Sequence, residues 1–198
     1  MTTQVLNDHG HHHDVSSKVI FGFWIFILSD CILFSALFAV YVVLRNNTFG
    51  GISINQIASL PYVLLTGLFL LTANFTYGLS SMGFHANSKA HTILWLVITF
   101  LLGLAFIMME QHEFAYLINS GSNWQKSAFL SAFFALLGFH WFHMLAALLW
   151  MVIFIIQFIS QGFTTTMKIR LTCLGMFLHF LNIVWVFIFT VVYLMGAI

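Results

Sequence analysis

Five long apolar runs constrain this chain more than any other feature of its sequence. A helix of roughly 20 residues crosses the ~30 Å hydrocarbon layer of a bilayer, and each run is at least that long. A membrane β-barrel would alternate polar and apolar residues, which these segments do not do. The sequence therefore predicts an all-α polytopic membrane protein, a bundle of five transmembrane helices. The predicted spans are about 19–44, 61–84, 91–117, 127–159 and 171–195.

The composition supports a membrane protein. Hydrophobic residues make up 61% of the 198 positions and charged residues only 6%, which leaves too little polar surface to solvate a globule. The net charge of +1 gives no sign of a nucleic-acid partner. Cys31 and Cys173 both lie in apolar runs, so we expect buried thiols rather than a disulfide.

A polar leader, residues 1–18, precedes the transmembrane domain of residues 19–198. The leader is rich in histidine, which can bind a soft divalent metal ion, but we expect a solvated, disordered tail. Its histidines are His9, His11, His12 and His13.

The distribution of basic residues predicts the orientation, because cytoplasmic loops carry an excess of Lys and Arg. The N-terminal side of the five-span topology carries more of them, so the N-terminus is predicted to be cytoplasmic and the C-terminus periplasmic. The N-terminal side carries Lys18, Lys89, Lys168 and Arg170, and the opposite side carries Arg45 and Lys126. The same topology predicts an aromatic belt at the outer helix ends, formed by Tyr41, Tyr62, Tyr116 and Tyr193.

Polar residues within the spans are the candidates for function, because ionisable groups at bilayer depth normally face protein or a cavity. Helical rise places one group in the inner half of the membrane and a second near the outer face. The inner group is a predicted interhelical cluster of Asp30, His140, His143, His179 and Asn182. The outer group consists of Glu110, His112 and Glu113.

Three interpretations of these groups compete. Interhelical hydrogen bonding is the commonest use of polar residues in a membrane bundle, and we favour it. A metal shared by the glutamates and histidines is disfavoured, because the two groups differ in depth by roughly 15 Å. A b-type haem needs two histidines at similar depth on different helices, and His140 with His179 meets that condition. A haem b-bearing membrane anchor of a respiratory dehydrogenase therefore remains the alternative, and an independent membrane enzyme with a bundle metal is a third class.

Three segments of the sequence resemble subunit III of the haem–copper terminal oxidases. They are residues 21–35 (FGFWIFILSDCILFS), 131–143 (SAFFALLGFHWFH) and 179–185 (HFLNIVW). The resemblance covers nearly the whole chain. Five spans, the histidine-rich leader and the closing VYLMG look most like the cytochrome bo-type ubiquinol oxidase version from bacteria.

The resemblance implies a non-catalytic subunit of a proton-pumping ubiquinol oxidase in the bacterial inner membrane. It implies that haem and copper belong to a partner, subunit I, and that this chain supports the stability and lipid environment of that subunit. No catalytic, cofactor-binding or metal-ligating residue is then expected in this chain. The implied partners are subunits I, II and IV, phospholipids and, for the whole complex, ubiquinol. Asp30 matches a family position that often carries a buried carboxylate, with His143 as its implied partner. Family members commonly carry Asp four residues before the Trp of the last motif or close to it, whereas this chain has Leu181-Asn182-Ile183 there.

Overall fold

A computed structural model describes residues 2–45, 60–119, 125 and 127–195, with side chains for 17–45, 61–119, 125 and 127–195. Five helices in that part of the chain are long and apolar enough to cross a membrane. The predicted fold class, an all-α bundle of five transmembrane helices, is therefore confirmed, and the orientation of the termini stays a prediction. The helices are α1 (Thr2–Leu44), α2 (Leu60–His85), α3 (Lys89–Asn119), α4 (Ala128–Gln161) and α5 (Thr165–Ile188), the last continuing as a π-helix over Phe189–Leu194.

Side-chain caps set the starts of the last two helices. The Ser127 hydroxyl accepts a hydrogen bond from the Leu130 amide, and the Thr164 hydroxyl accepts one from the Met167 amide. As a result α5 begins at Thr165, six residues before the predicted span start at 171. Hydropathy marks only the segment that suits hydrocarbon, whereas a helix continues through the polar interface until a cap ends it.

The leader differs from the disordered tail that its composition predicts. The backbone of α1 is helical from Thr2, so the leader and the first span form one continuous helix. An apolar helix that has already formed extends readily, because each further residue adds one hydrogen bond without a new nucleation step. The side chains of residues 2–16, including the four leader histidines, lie outside the described part of the structure.

The last helix is the centre of the bundle and the first helix lies at its edge. Helix α5 packs against α1, α2 and α4, while α2 and α3 form the most extensive pair. Half of the most apolar window of α5 is buried within the chain, against 22% of the corresponding window of α1. Helix α1, held by α4 and α5, therefore presents most of its apolar surface outward.

A glycine allows α2 and α5 to approach closely. A Cβ atom on Gly175 would lie 2.7 Å from the ring of Tyr77, so no larger residue fits without a shift. The Tyr77 hydroxyl in turn donates a hydrogen bond to the Leu171 carbonyl, one turn before Gly175. Packing and a buried hydrogen bond thus fix the register of these two helices together.

The predicted aromatic belt is wrong for two of its four tyrosines. Tyr41 and Tyr193 are 1% and 0% exposed, and they pack inside the protein rather than at its surface. Tyr116 is exposed, as a belt residue would be, and Tyr62 is half-buried. Position near a helix end gives the depth of a side chain, but the helical face decides whether it meets lipid or protein.

Candidate functional site

Asp30 and His143 face each other between α1 and α4. The His143 Nε2 atom lies 3.8 Å from Asp30 Oδ1, and both side chains are largely buried. Phe34 and Phe177 pack against the imidazole ring, at centroid distances of 5.3 and 6.2 Å. The two polar groups thus lie among aromatic rings, where a charge on only one of them would be poorly compensated.

A hydrogen bond to the backbone fixes which nitrogen of His143 faces Asp30. The Nδ1 atom lies 2.7 Å from the Phe139 carbonyl oxygen, which can only accept, so Nδ1 carries a hydrogen and donates it. In the neutral ring, the Nε2 atom that faces Asp30 is therefore the hydrogen-bond acceptor.

His140, one helical turn from His143, makes a different set of contacts. Its ring is fully buried, and Nε2 donates a hydrogen bond of 3.2 Å to the Leu181 carbonyl of α5. Phe106 and Trp185 pack against the ring at 5.8 and 5.3 Å. Residues three apart point about 60° away from each other on a helix, which is why His143 faces α1 and His140 faces α5.

The two α5 residues of the predicted cluster lie elsewhere. His179 is exposed, and its ring meets the edge of Tyr77 at a centroid distance of 6.4 Å. Asn182 is half-buried, and its Oδ1 atom has no hydrogen-bond partner among the described residues. The structure thus brings Asp30 and His143 together, and it places His140 and His179 in separate surroundings.

The outer polar group is also divided by the faces of its helix. Glu110 is 1% exposed and points into the bundle, and Glu113 accepts a 3.3 Å hydrogen bond from the Tyr193 hydroxyl. His112 is exposed, because it lies about 200° around α3 from Glu110. Glu110 and Glu113 are therefore neighbours inside the protein, and His112 faces outward.

The polar side chains of the described residues are spread over the bundle rather than gathered into one ligand set. Within the described residues, no group of three or more His, Cys, Asp or Glu side chains could hold a metal ion together. His140 and His179, the candidate haem ligands, meet different aromatic partners; His140 Nε2 donates to a backbone carbonyl, and its Nδ1 has no partner among the described residues. Cys31 and Cys173 are both free, Cys31 exposed and Cys173 buried.

A long apolar groove runs between α1 and α5 on the outside of the bundle. It has a volume of about 1020 Å³ and extends along α1 from Trp24 to Val43, which corresponds to ~28 Å of helix. Its lining is apolar apart from Cys31, Ser35 and His179. The groove thus spans nearly the thickness of the hydrocarbon layer.

Sequence reasoning did not predict that Tyr193 and Trp185 lie beside the polar groups. Both are buried in the core; Tyr193 donates to Glu113, whereas Trp185 Nε1 has no hydrogen-bond partner among the described residues. The sequence identifies both as aromatic residues, but an apolar run has no periodicity that distinguishes the inward from the outward face of its helix.

Known proteins are similar to this chain over nearly its full length. A family model described as cytochrome c oxidase subunit III matches residues 3–197. A Pseudomonas aeruginosa protein named cytochrome bo(3) ubiquinol oxidase subunit 3 is 48% identical, covering 98% of this chain and 93% of the relative. A Pseudomonas putida protein of the same name is 45% identical over 93% of this chain and 89% of the relative. A Bacillus spizizenii protein named quinol oxidase subunit 3 is 37% identical over 89% and 87%.

Proposed function

This chain belongs to the cytochrome c oxidase subunit III family, and from that premise we propose that it is the non-catalytic subunit III of a cytochrome bo-type ubiquinol oxidase. The observation that carries the proposal is the 48% identity, over almost the whole of both chains, to a relative of that name. In this role the chain works in the bacterial inner membrane beside subunits I, II and IV. Haem and copper are held by subunit I, and the complex as a whole oxidises ubiquinol.

The contribution of this subunit is to the stability and lipid environment of subunit I. Its first helix is mostly exposed, and the groove beside that helix is apolar over nearly the full depth of the hydrocarbon layer. A surface of this shape and length suits the acyl chains of a phospholipid, which run parallel to transmembrane helices. Lipid held in the groove would stay with the complex and pack against its neighbours.

Purification of the complex tests the assignment. An affinity tag on this chain should co-purify a larger, haem-containing subunit together with ubiquinol-driven oxygen uptake. Deletion of the chain should leave activity at first and then speed its decay during turnover or detergent treatment. Recovery of the tagged chain with a soluble dehydrogenase instead would contradict the proposal and favour the membrane-anchor alternative.

A matched pair of substitutions tests the lipid groove. Ala39 lines the groove and Ala36 is an exposed alanine on the same helix outside it. Ala39→Trp fills part of the groove and should lower the number of phospholipids that co-purify per complex. Ala36→Trp should leave that number unchanged. Equal lipid content in both variants and the unaltered complex, measured by quantitative mass spectrometry, would contradict a lipid role for the groove.

A further inference from the structure

A buried glutamate in the outer half of the bundle has no charge partner. Glu110 is 1% exposed. Among the residues that the structure describes, no donor lies within hydrogen-bond distance of either carboxyl oxygen, and no basic group forms an ion pair with it. An ionised carboxylate in such a place would lose its hydration without compensation. Glu110 is therefore compatible with its surroundings only when a bound cation, the smallest being a proton, neutralises it.

A second carboxyl group lies one helical turn later, and unlike the first it has a hydrogen-bond donor. Glu113 is half-buried, and its Oε1 atom accepts a hydrogen bond from the Tyr193 hydroxyl at 3.3 Å. A hydrogen bond from a donor favours the charged form of a carboxyl group. Two carboxylates one helical turn apart in a region of low dielectric constant cannot both be ionised, so the proton belongs on Glu110.

The donor to Glu113 is held by an unusual stretch of helix. Tyr193 belongs to the π-helical segment Phe189–Leu194, and wider turns of this kind are frequent at functional sites. The Tyr41 hydroxyl of α1 donates to the Val192 carbonyl at 3.5 Å, and Phe133 of α4 packs on the Tyr193 ring. The π-helical segment therefore directs the hydroxyl inward, and two neighbouring helices hold it there.

The other polar groups that the structure describes around the pair make contacts elsewhere. On α2, the Tyr62 hydroxyl donates to the Met109 carbonyl rather than to a carboxylate, at 2.9 Å. On α1, Arg45 lies one turn beyond Tyr41, at the end of the helix. On α4, His140 meets Phe106, which lies one turn before Glu110. None of these groups forms an ion pair with either glutamate in the described part of the chain.

We propose that Glu110 and Glu113 form a binding site for one exchangeable proton, which resides on Glu110 while Tyr193 stabilises the charge of Glu113. The proton enters from water at the outer end of the bundle, passes to the half-buried Glu113 and is transferred to Glu110, so that Glu113 is again ionised. No oxidant or further reactant is involved. The site is built from residues of this chain alone, so the proposal does not depend on which subunits accompany it.

Infrared spectroscopy of the purified complex tests the site. A carboxylic acid has a carbonyl stretching band that an ionised carboxylate lacks, and this band shifts in D2O when its proton exchanges. Glu110→Gln should remove the intensity of one such group per complex. His112→Gln, on the outward face of the same helix, is the matched control and should leave the band unchanged. If Glu110→Gln instead removes carboxylate intensity, Glu110 is ionised and neutralised by another cation, which overturns the proposal.

A second variant tests the site independently if the complex carrying Glu110→Gln does not assemble. Tyr193→Phe retains both glutamates and the ring packing but removes the donor to Glu113, so the proton should become shared between the two carboxyl groups. The carboxylic acid band should then change in frequency at constant intensity. An unshifted band in Tyr193→Phe would show that Tyr193 does not control the site and would overturn the proposal.

Discussion

Asp30 on α1 and His143 on α4 lie 3.8 Å apart, and the Phe139 carbonyl holds the other nitrogen of the imidazole. Because that carbonyl can only accept a hydrogen bond, Nδ1 carries the hydrogen and Nε2 is the nitrogen that faces Asp30. The pair joins the edge helix of the bundle to its interior. Substitution of Asp30 therefore tests whether the pair has a structural role or a proton-transfer role.

Asp30→Asn should be mild and Asp30→Leu more damaging. An asparagine amide can donate to the unprotonated His143 nitrogen, whereas leucine leaves that nitrogen unpaired in an apolar site. Interhelical hydrogen bonds in membranes contribute on average ~0.6 kcal/mol, so we expect partial loss of this chain on detergent extraction rather than misfolding. The measurement is the amount of chain retained per complex in each variant.

The same two variants test proton transfer. If Asp30 transferred protons, asparagine should be as harmful as leucine, since neither side chain titrates. We expect proton pumping and quinol-driven oxygen uptake to follow retention of the chain. Full retention together with lost pumping in Asp30→Asn would refute the structural role.

Tyr77→Phe should weaken the contact between α2 and α5. The Tyr77 hydroxyl is buried and donates to the Leu171 carbonyl, which would be left without its side-chain donor. The expected loss is about 0.6 kcal/mol, seen as a lower unfolding temperature in detergent. Tyr116→Phe is the control, because Tyr116 is 65% exposed and its hydroxyl makes no hydrogen bond with the described residues. An equal effect of both substitutions would contradict the importance of the buried bond.

Gly175→Ala should destabilise the bundle by crowding Tyr77. The new Cβ atom would lie 2.7 Å from the ring, and overpacking of this kind typically costs about 1–3 kcal/mol. Gly138→Ala is the matched control, because nothing lies within 4 Å of a Cβ atom at that position of α4. Thermal unfolding should separate the two variants, and a Gly175→Ala protein as stable as Gly138→Ala would show that the two helices do not pack so closely.

The orientation of the chain can be tested by labelling. The excess of Lys and Arg on the N-terminal side predicts that a cysteine in the leader, such as Ser16→Cys, is labelled only from the cytoplasm. A cysteine between the first two helices, such as Ser53→Cys, should be labelled only from the periplasm. Both are made with Cys31 and Cys173 replaced by serine and are treated with a membrane-impermeant maleimide. Reversed labelling would contradict the predicted topology.

Sequence predicted the number of spans because each is an uninterrupted apolar run of sufficient length. It did not predict which face of each helix is buried, since lipid and protein interior are equally apolar and leave no periodic signal. Tyr41 and Tyr193 illustrate this, having been assigned to a surface belt although both are buried.

For the same reason, the sequence predicted only part of the polar cluster correctly. Depth along the helices placed Asp30, His140, His143 and His179 in one layer, and only the first and third of these form a pair. Rotation about each helix axis separates residues of equal depth, and the packing of all five helices decides that rotation. A buried residue without a partner, such as Glu110, can be recognised only once that packing is known.

The visible spectrum of this chain after separation from its co-purified partners tests the central claim most directly. We expect no Soret band and no copper in the isolated polypeptide, with all haem and all ubiquinol-oxidising activity in the fraction that contains the larger subunit. A stoichiometric Soret band in the separated chain, lost when His140 or His179 is replaced, would contradict it and establish a haem-bearing membrane anchor.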